Sequence, residues 1–335
     1  MARYFAKRLL LLVPILIGLS MLVFVIARLL PGNPARAAAG PYATEAEVDA
    51  LAREFGLDQP LPIQYWNYLT GLVQGDWGTS IFTRRPVLED IFIFLPATLE
   101  LVIVAMILAV VIGIPAGLIS GVYSDRWPDY LSRIVSLGAI SMPRFFLGLL
   151  LQLCFASWLG LLPLAGRFPL FEIPPPQVTG FLTIDTLLAG DVRGFGFALS
   201  HLALPAIATC LNPLATITRT VRAATIEVLQ QDYVLTERAL GLPPRVIVLK
   251  YVLKNAMSGA LTTIGLYFGW LLGGTVLVET VFDWPGIGLY ATNAILMQDM
   301  LPVVGVTLTI GIIFICVNLL VDLFYGVLSP KVKYE

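Results

Sequence analysis

The hydrophobic positions of the chain fall into six long stretches that polar segments separate. Each stretch is long enough to form a helix across a bilayer core of about 30 Å. The six stretches are 9–30, 99–123, 134–158, 201–221, 256–278 and 302–325. This pattern predicts an all-α integral membrane protein with six transmembrane helices.

The distribution of basic residues predicts how these helices are oriented. If the N-terminus is cytoplasmic, thirteen of the 21 lysine and arginine residues, including every lysine, fall on the cytoplasmic side. Cytoplasmic loops of membrane proteins carry such an excess of positive charge. We therefore expect both termini to be cytoplasmic, in a multi-pass protein.

The polar segment after the first stretch is predicted to be external and to have structure of its own. Thr44 followed by Glu47 is a capping-box pattern, and Gly56 is a plausible stop, so a short amphipathic helix is expected at 45–55. Aromatic residues then indicate a segment lying at the membrane interface, namely Tyr65, Trp66, Tyr68 and Trp77. The expected division of the chain is 1–30 for the cytoplasmic end and span one, 31–98 for this external segment, and 99–335 for a core of five spans.

Composition agrees with a membrane protein and limits the chemistry. Hydrophobic residues make up 58% of the chain and charged residues 13%, against about 25% charged residues in soluble domains. The three cysteines, Cys154, Cys210 and Cys316, lie within apolar stretches, and His201 is the single histidine. We expect neither a disulfide framework nor a metal site, no cofactor held by the chain itself, and no nucleic-acid partner.

The most informative polar stretch is the predicted cytoplasmic loop 222–255. Asp232 can cap a helix that runs from Tyr233 to Leu240, and Gly241 would end this helix. Two consecutive prolines then begin a second helix, which leads into the fifth stretch. A stiff helix presented beyond the membrane is suited to accept force from a cytosolic motor protein.

The residues of this loop resemble the segment by which permeases of ATP-binding-cassette (ABC) importers dock onto their ATPases. That segment reads E-A-A, three residues, G, nine residues and I-x-L-P. In this chain the glycine is Gly241, Tyr251 and Leu253 follow after nine residues, and Lys254 replaces the final proline. Because the ending continues as Asn255-Ala256, it resembles the oligopeptide, dipeptide and nickel branch of these importers.

Four further stretches resemble the same branch, and together they extend the resemblance over nearly the whole chain. They are Pro31–Ala35, Phe55–Asp58 with the downstream Gly75–Ser80, Pro96–Glu100, and Glu279–Gly288. The Trp284-Pro-Gly-Ile-Gly288 sequence within the last stretch is the most specific. The long external segment further resembles the first of the two permease subunits of such systems, the dipeptide and oligopeptide permease B type.

This resemblance implies partners and a role for the cytoplasmic loop. The implied partners are a second homologous permease subunit, two ABC ATPase subunits that bind ATP and Mg, and an external substrate-binding protein, all around the cytoplasmic (inner) membrane. The chain itself would be a transporter subunit and not an enzyme. The residues implied to couple it to the ATPase are Asp232, Tyr233, Glu237, Arg238, Ala239, Leu240 and Gly241.

Arg144 is the candidate residue for the translocation path, since an intramembrane charge is costly unless it faces protein or water. There it would attract a carboxylate-bearing solute. The alternatives are an ion pair with Glu100, or a helix break at Pro143 that lets Arg144 reach the interface. The other candidates for the path or its external gate are Glu100, Glu279, Asp283 and Trp284. Their alternative roles are a satisfied pair at Glu100 and a loop that Trp284 anchors at the interface.

Two questions remain open at this point. A channel or an ion-coupled secondary transporter is the alternative to an ABC permease, although only Arg144 is a central charge and no HExxH or GxSxG enzyme motif is present. The family resemblance favours oligopeptides or dipeptides as the solute. Nickel, glutathione, opines and saccharides are the alternatives within the same branch.

Overall fold

The structure is a computed structural model that describes residues 2–29, 34–40, 42–54 and 56–328. Helices form nearly all of its regular structure, and no β-strand occurs in these ranges. In chain order, the helices are α1 (Ala2–Leu29), α2 (Pro34–Ala39), α3 (Glu45–Glu54), α4 (Leu61–Gln74), α5 (Val87–Val122), α6 (Trp127–Ser141), α7 (Arg144–Leu151), α8 (Leu182–Leu188), α9 (Val192–Leu229), α10 (Asp232–Ala239), α11 (Pro244–Val246), α12 (Leu253–Gly274), α13 (Val276–Val281), α14 (Ile287–Leu296) and α15 (Met300–Leu328). Two π-helical segments continue α7 and join α11 to α12, namely Gln152–Trp158 and Ile247–Val252.

Three of the described helices are long and apolar enough to cross a membrane by themselves: Val87–Val122, Val192–Leu229 and Met300–Val321. Two bent helix pairs also qualify, Trp127–Ser141 with Arg144–Trp158 at 103°, and Pro244–Met257 with Gly259–Gly274 at 49°. The described part of α1 contains a shorter apolar stretch, Leu10–Ile26. The structure therefore supports an all-helical chain with three to five membrane spans.

The third predicted span is not one straight helix. It ends as α6 at Ser141 and begins again as α7 at Arg144, with Met142 and Pro143 extended between them. The cause is Pro143, because a proline disfavours helical backbone at the residue before it and has no N–H to donate. This is the break that was one alternative for Arg144.

The chain divides into two compact units, of which the first comprises 1–96 and 285–316. Within it, α4 packs against α1: the rings of Phe24 and Tyr65 lie 5.4 Å apart edge to face, and the Tyr65 and Ser20 hydroxyls lie 3.0 Å apart. The predicted capping box is present, because the backbone N–H of Thr44 donates to Glu47 at 2.7 Å. These contacts give the segment between α1 and α5 a defined fold.

The second unit comprises 97–284 and 317–335, and α9 lies at its centre. Helices α6, α7, α8 and α12 all pack against α9. Three glycines of α5, Gly113, Gly117 and Gly121, face the same helix. A Cβ at Gly117 would lie 2.5 Å from the carbonyl oxygen of Thr218, so only glycine permits this approach.

Several predicted segments lie outside the described residues. These are Pro31–Asn33 of the first motif, Phe55 of the second, and the C-terminal residues 329–335. Helices α5 and α9 also extend beyond the predicted apolar stretches, so His201 lies inside α9 and not at its start.

Candidate functional site: an exposed coupling helix and buried polar contacts

The predicted cytoplasmic helix is present as α10, between the end of α9 and the segment that leads into α12. It packs on both of them through Val234, which is completely buried. The remaining predicted coupling side chains lie on its outer surface, with Glu237 half-buried and Asp232, Tyr233, Arg238, Ala239 and Leu240 exposed. The helix thus buries Val234 and presents an apolar and charged surface, with the Leu240 side chain 74% exposed.

The turn after α10 fixes the direction of this helix. Gly241 has a φ of +78°, and its N–H donates to the carbonyl of Arg238 at 3.0 Å. Such left-handed backbone strongly favours glycine at the end of a helix. On the opposite side, the Asn255 side chain donates to the Tyr233 hydroxyl at 3.0 Å. The glycine and the asparagine of the recognised motif therefore both position α10.

One detail of the predicted helix is wrong. Asp232 is the first residue of α10 and not its cap, because Gln231 occupies the capping position and no side chain caps the helix there. A carboxylate in the first turn still interacts favourably with the helix dipole. Leu235, a further exposed apolar residue of α10, was absent from the predicted set.

Arg144 begins α7 directly after the break, and its side chain is half-buried. Its guanidinium donates to the carbonyl of Gly274 at 3.4 Å. With the Asn212 amide oriented so that its nitrogen donates to Ala139, the amide oxygen accepts from Arg144 Nε at 3.2 Å. Arg144 forms no ion pair among the described residues, so the alternative pairing with Glu100 is wrong.

Glu100 forms a buried ion pair with Arg167, a residue that the sequence did not single out. The Glu100 side chain is 2% exposed and that of Arg167 is 12% exposed. Arg167 Nε donates to Glu100 Oε2 at 3.2 Å, and the N–H and hydroxyl of Thr183 donate to Oε1 at 2.7 and 2.6 Å. Glu100 therefore adopts the satisfied pair, and it ties α5 to the loop before α8 through Arg167 and to α8 itself through Thr183.

The other two motifs of the second unit meet each other in its core. Glu279 is completely buried and accepts hydrogen bonds from the hydroxyls of Thr98 at 2.8 Å and Thr275 at 3.0 Å. The Trp284 indole is also buried and donates to the carbonyl of Ala97 at 2.9 Å. The stretches 96–100 and 279–284 thus pack directly against each other.

The alternative in which Trp284 anchors a loop at the interface is therefore wrong, because the indole is 1% exposed. Its neighbours are apolar residues of α5 and α9, namely Ala97, Leu101, Leu202 and Ala206. Asp283 differs from its neighbours: it is exposed, with a φ of +47°. Of the three residues predicted in this motif, only Asp283 offers its side chain to solvent.

Sequence reasoning missed an exposed apolar surface on the loop between α7 and α8. The side chains of Leu170, Phe171 and Ile173 are 92 to 100% exposed. The base of this loop is held by Arg167 and, further along, by Asp185, which accepts from the N–H and hydroxyl of Thr179 at 2.8 and 2.7 Å. Burial raises the pKa of Asp185, but these hydrogen bonds outweigh it and hold the pKa below its usual value.

A second missed feature joins α5, α6 and α9 near the start of the segment that contains α10. The completely buried Asp129 accepts from Arg222 Nε at 2.6 Å and from the other side of its guanidinium at 2.8 Å. Ser120 also donates to Asp129, at 2.7 Å. The available sequence signal was an aspartate in the first turn of a helix, which does not identify a partner 93 residues away.

The described residues contain no group of three or more His, Cys, Asp or Glu side chains that could hold a metal ion. The three cysteines are free: Cys210 is buried, Cys154 is half-buried and Cys316 is exposed.

Comparison with known proteins assigns the chain to one family. Residues 113–334 match the model of the binding-protein-dependent transport system inner membrane component, and residues 1–102 match the model of its N-terminal region. These matches decide against the alternatives of a channel or an ion-coupled transporter.

Curated relatives cover the chain from end to end. The chain is 44% identical over 321 residues to a probable D,D-dipeptide transport system permease of Escherichia coli K12, a match that covers 96% of this chain and 94% of that protein. It is 42% identical to a dipeptide transport system permease of Alkalihalophilus pseudofirmus, with both chains covered completely. It is 38% identical to a glutathione transport system permease of Escherichia coli K12, again over the whole of both chains. The chain belongs to the binding-protein-dependent transport system inner membrane components, and it is a permease subunit of an ABC importer and not an enzyme.

Proposed function

We propose that this chain is the first permease subunit of an importer for dipeptides and related short peptides. The support is the agreement among relatives, because those at 44, 42 and 41% identity are named for D,D-dipeptide, dipeptide and di/tripeptide transport. Glutathione, the solute in the names of further relatives, is itself a tripeptide and lies within the same chemical class. In this proposal the binding protein selects the individual peptide.

In this proposal the chain crosses the membrane six times with both termini in the cytoplasm. The spans are α1, α5, the broken pair α6–α7, α9, α12 and α15. Support comes from the excess of basic residues on the side of α10 and from the apolar stretch of α1. The helices α2 to α4 and the loop between α7 and α8 are then external.

The main support for the coupling function is the exposed surface of α10, a helix whose position is fixed by buried contacts and by the turn that follows it. Val234 and the Gly241 turn define where the helix lies. The large side chains of Tyr233, Leu235 and Leu240 are exposed on it. Exposed apolar side chains on one short helix are typical of a docking surface. We assign this surface to the cleft of an ABC ATPase subunit.

The assembly that follows contains a second homologous permease, two ATPase subunits and an external binding protein. ATP and Mg are held by the ATPase subunits, and this chain supplies no ligand to them. The loop between α7 and α8 receives the binding protein, because its apolar tip around Phe171 is exposed on a base that the Glu100–Arg167 pair holds. Arg144 faces the translocation path. Its guanidinium forms no ion pair among the described residues and attracts the carboxylate of a peptide there.

The test is affinity purification of the tagged chain from its native membrane, with identification of the retained proteins by mass spectrometry. We expect a second permease and ATPase subunits to be retained. The substitution Leu240→Asp places a charge on the exposed surface of α10 and should release the ATPases while the second permease stays bound. A matched control is Leu188→Asp on α8, where the leucine is similarly exposed on the proposed external side. Recovery of the same ATPases with Leu240→Asp would contradict the assignment of α10.

A further inference from the structure

A cavity of about 240 Å³ lies in the first unit between α4, the turn that follows it, and the start of α15. Its polar lining consists of Gln64, Asn67, Tyr68 and Asp76, together with the indole of Trp77. No lysine or arginine belongs to the lining that the structure describes. The cavity therefore combines hydrogen-bond acceptors, aromatic rings and one carboxylate.

Two buried polar atoms of this lining lack a partner among the described residues. Gln64 is 8% exposed, and its amide nitrogen donates to the carbonyls of Leu57 and Gln59 at 3.1 and 2.7 Å. These two bonds fix the amide orientation and leave Oε1 without a donor. The Tyr68 hydroxyl is also buried and has no hydrogen-bond partner among the described residues. A buried polar group without a partner costs about 1–3 kcal/mol, so a ligand with N–H donors would be stabilised here.

An apolar groove adjoins the cavity. The groove lies between α1 and α15, and its lining includes Leu22, Ile26, Val303 and Thr307. Val304 lines both the cavity and the groove, so the two spaces share a wall. A polar cavity beside an apolar groove is a shape that suits an amphiphile with a headgroup and a hydrocarbon chain.

We propose that this cavity and groove bind one phospholipid with an ethanolamine headgroup. The ammonium group has three N–H donors, which match Gln64 Oε1, the Tyr68 hydroxyl and the Asp76 carboxylate, while the rings of Tyr68 and Trp77 offer cation–π contact. An acyl chain occupies the groove between α1 and α15. The location fits a lipid, since α4 carries the exposed Trp66 that is typical of a membrane interface.

The chemistry discriminates between lipid classes. A choline headgroup has no N–H donor, so it leaves both buried acceptors without partners. A glycerol headgroup has hydroxyl donors but no positive charge to pair with the carboxylate of Asp76, the one charged group of the lining, and its lipid carries a net negative charge. We therefore expect ethanolamine lipids to bind about tenfold more tightly than choline or glycerol lipids with the same acyl chains, as the loss of hydrogen bonds to a charged donor implies.

The test is native mass spectrometry of the full-length chain in detergent, titrated with phosphatidylethanolamine, phosphatidylcholine and phosphatidylglycerol of identical acyl chains. Tyr68→Phe should lower ethanolamine-lipid binding about tenfold without lowering the melting temperature of the lipid-free chain, because it removes a hydroxyl that has no partner there. Tyr42→Phe is the matched control, since Tyr42 is 97% exposed and does not line the cavity. Gln64→Leu should also lower ethanolamine-lipid binding, but unlike Tyr68→Phe it should lower the melting temperature as well, because it removes the two bonds that the amide nitrogen donates to Leu57 and Gln59. Gln74→Leu on the same helix is its control.

Two further measurements distinguish a bound lipid from a soluble ethanolamine compound and from a protein partner. Soluble glycerophosphoethanolamine should compete weakly, because it has no chain for the groove; full competition would overturn the lipid assignment. Equal binding of phosphatidylglycerol, or unchanged binding by Tyr68→Phe, would also overturn it. The same measurement on the assembled transporter should retain the lipid, and its exclusion there would show that a protein partner occupies the groove.

Discussion

At the scale of single residues, the buried charges of the second unit divide into two kinds. Glu100 and Asp129 are both enclosed, and each has an arginine partner and further hydrogen bonds. Arg144 has only the Gly274 carbonyl and the Asn212 amide as partners among the described residues. Because a charge near the membrane centre is costly, the neutral environment of Arg144 marks it as the functional candidate.

Arg167→Ala should destabilise the protein strongly, since it leaves the Glu100 carboxylate buried without its countercharge. The expected loss is about 3–5 kcal/mol, measured as thermal unfolding of the purified chain in detergent. The control is Arg193→Ala, whose partner Glu172 is exposed and whose pair is worth about 0–1 kcal/mol. Equal losses for the two substitutions would show that the Glu100 pair has no special role.

Arg144→Gln should lower transport while assembly with the second permease and the ATPases stays intact. The reason is that glutamine keeps the hydrogen-bonding capacity toward Gly274 and Asn212 but removes the charge that attracts a carboxylate. The measurement is peptide uptake, normalised to the assembled transporter recovered from the same membranes. Unchanged uptake would contradict a place for Arg144 on the translocation path.

At the scale of elements, the central contact is the approach of α5 to α9 along the three glycines. Gly117 lies closest, and Gly121 would likewise place a Cβ 2.6 Å from the Thr225 side chain. The hydrophobic effect does not drive helices together inside a membrane, so close packing of this kind provides the energy of their association. The contact holds α9 in place, and α9 leads directly to α10, the helix that we propose to contact the ATPase.

Gly117→Ala should therefore destabilise the chain by about 1–3 kcal/mol, because the added methyl group overpacks against Thr218 and Val221. Gly196→Ala within α9 is the matched control. Nothing lies within 4 Å of a Cβ there, so the substitution should be neutral or slightly stabilising. Thermal unfolding of both variants in the same detergent measures the difference, and a neutral Gly117→Ala would contradict the close packing of α5 on α9.

The elements show how far the sequence predicts this fold. The capping box at Thr44, the α10 helix and the glycine that ends it all follow from local patterns, because each depends on residues only a few positions apart. Helices α5 and α9 extend past the apolar stretches, because hydropathy records only the part that is apolar and not the polar helical turns beyond it. The pairing of Glu100 with Arg167 was not predictable, since it joins residues 67 positions apart.

At the scale of the whole molecule, the proposed function depends on which segments face the cytoplasm. Family membership places the chain in the inner membrane. The sequence predicts both termini and α10 on the cytoplasmic side, and the loop around Phe171 outside. The candidate surface of α10 could be predicted from the sequence, because a local motif defines it. The apolar loop between α7 and α8 carries no such motif, and its exposure depends on the fold.

The orientation can be measured with single cysteines in a background that lacks Cys154, Cys210 and Cys316. Arg245→Cys, after α10, should react with a membrane-impermeant maleimide only in opened vesicles. Phe171→Cys should react from outside in intact cells, because its position is completely exposed. Labelling of both residues from the same side would contradict the six-span orientation.

The central claim is that this chain imports peptides with energy from ATP that reaches it through α10. The most direct measurement is uptake of a labelled dipeptide into liposomes that contain the co-purified transporter, with the binding protein outside and ATP inside. We predict uptake that requires both the binding protein and ATP hydrolysis, and that Leu240→Asp abolishes while Leu188→Asp does not. Uptake that an ion gradient drives without ATP, or that persists at full rate in Leu240→Asp, would contradict the account.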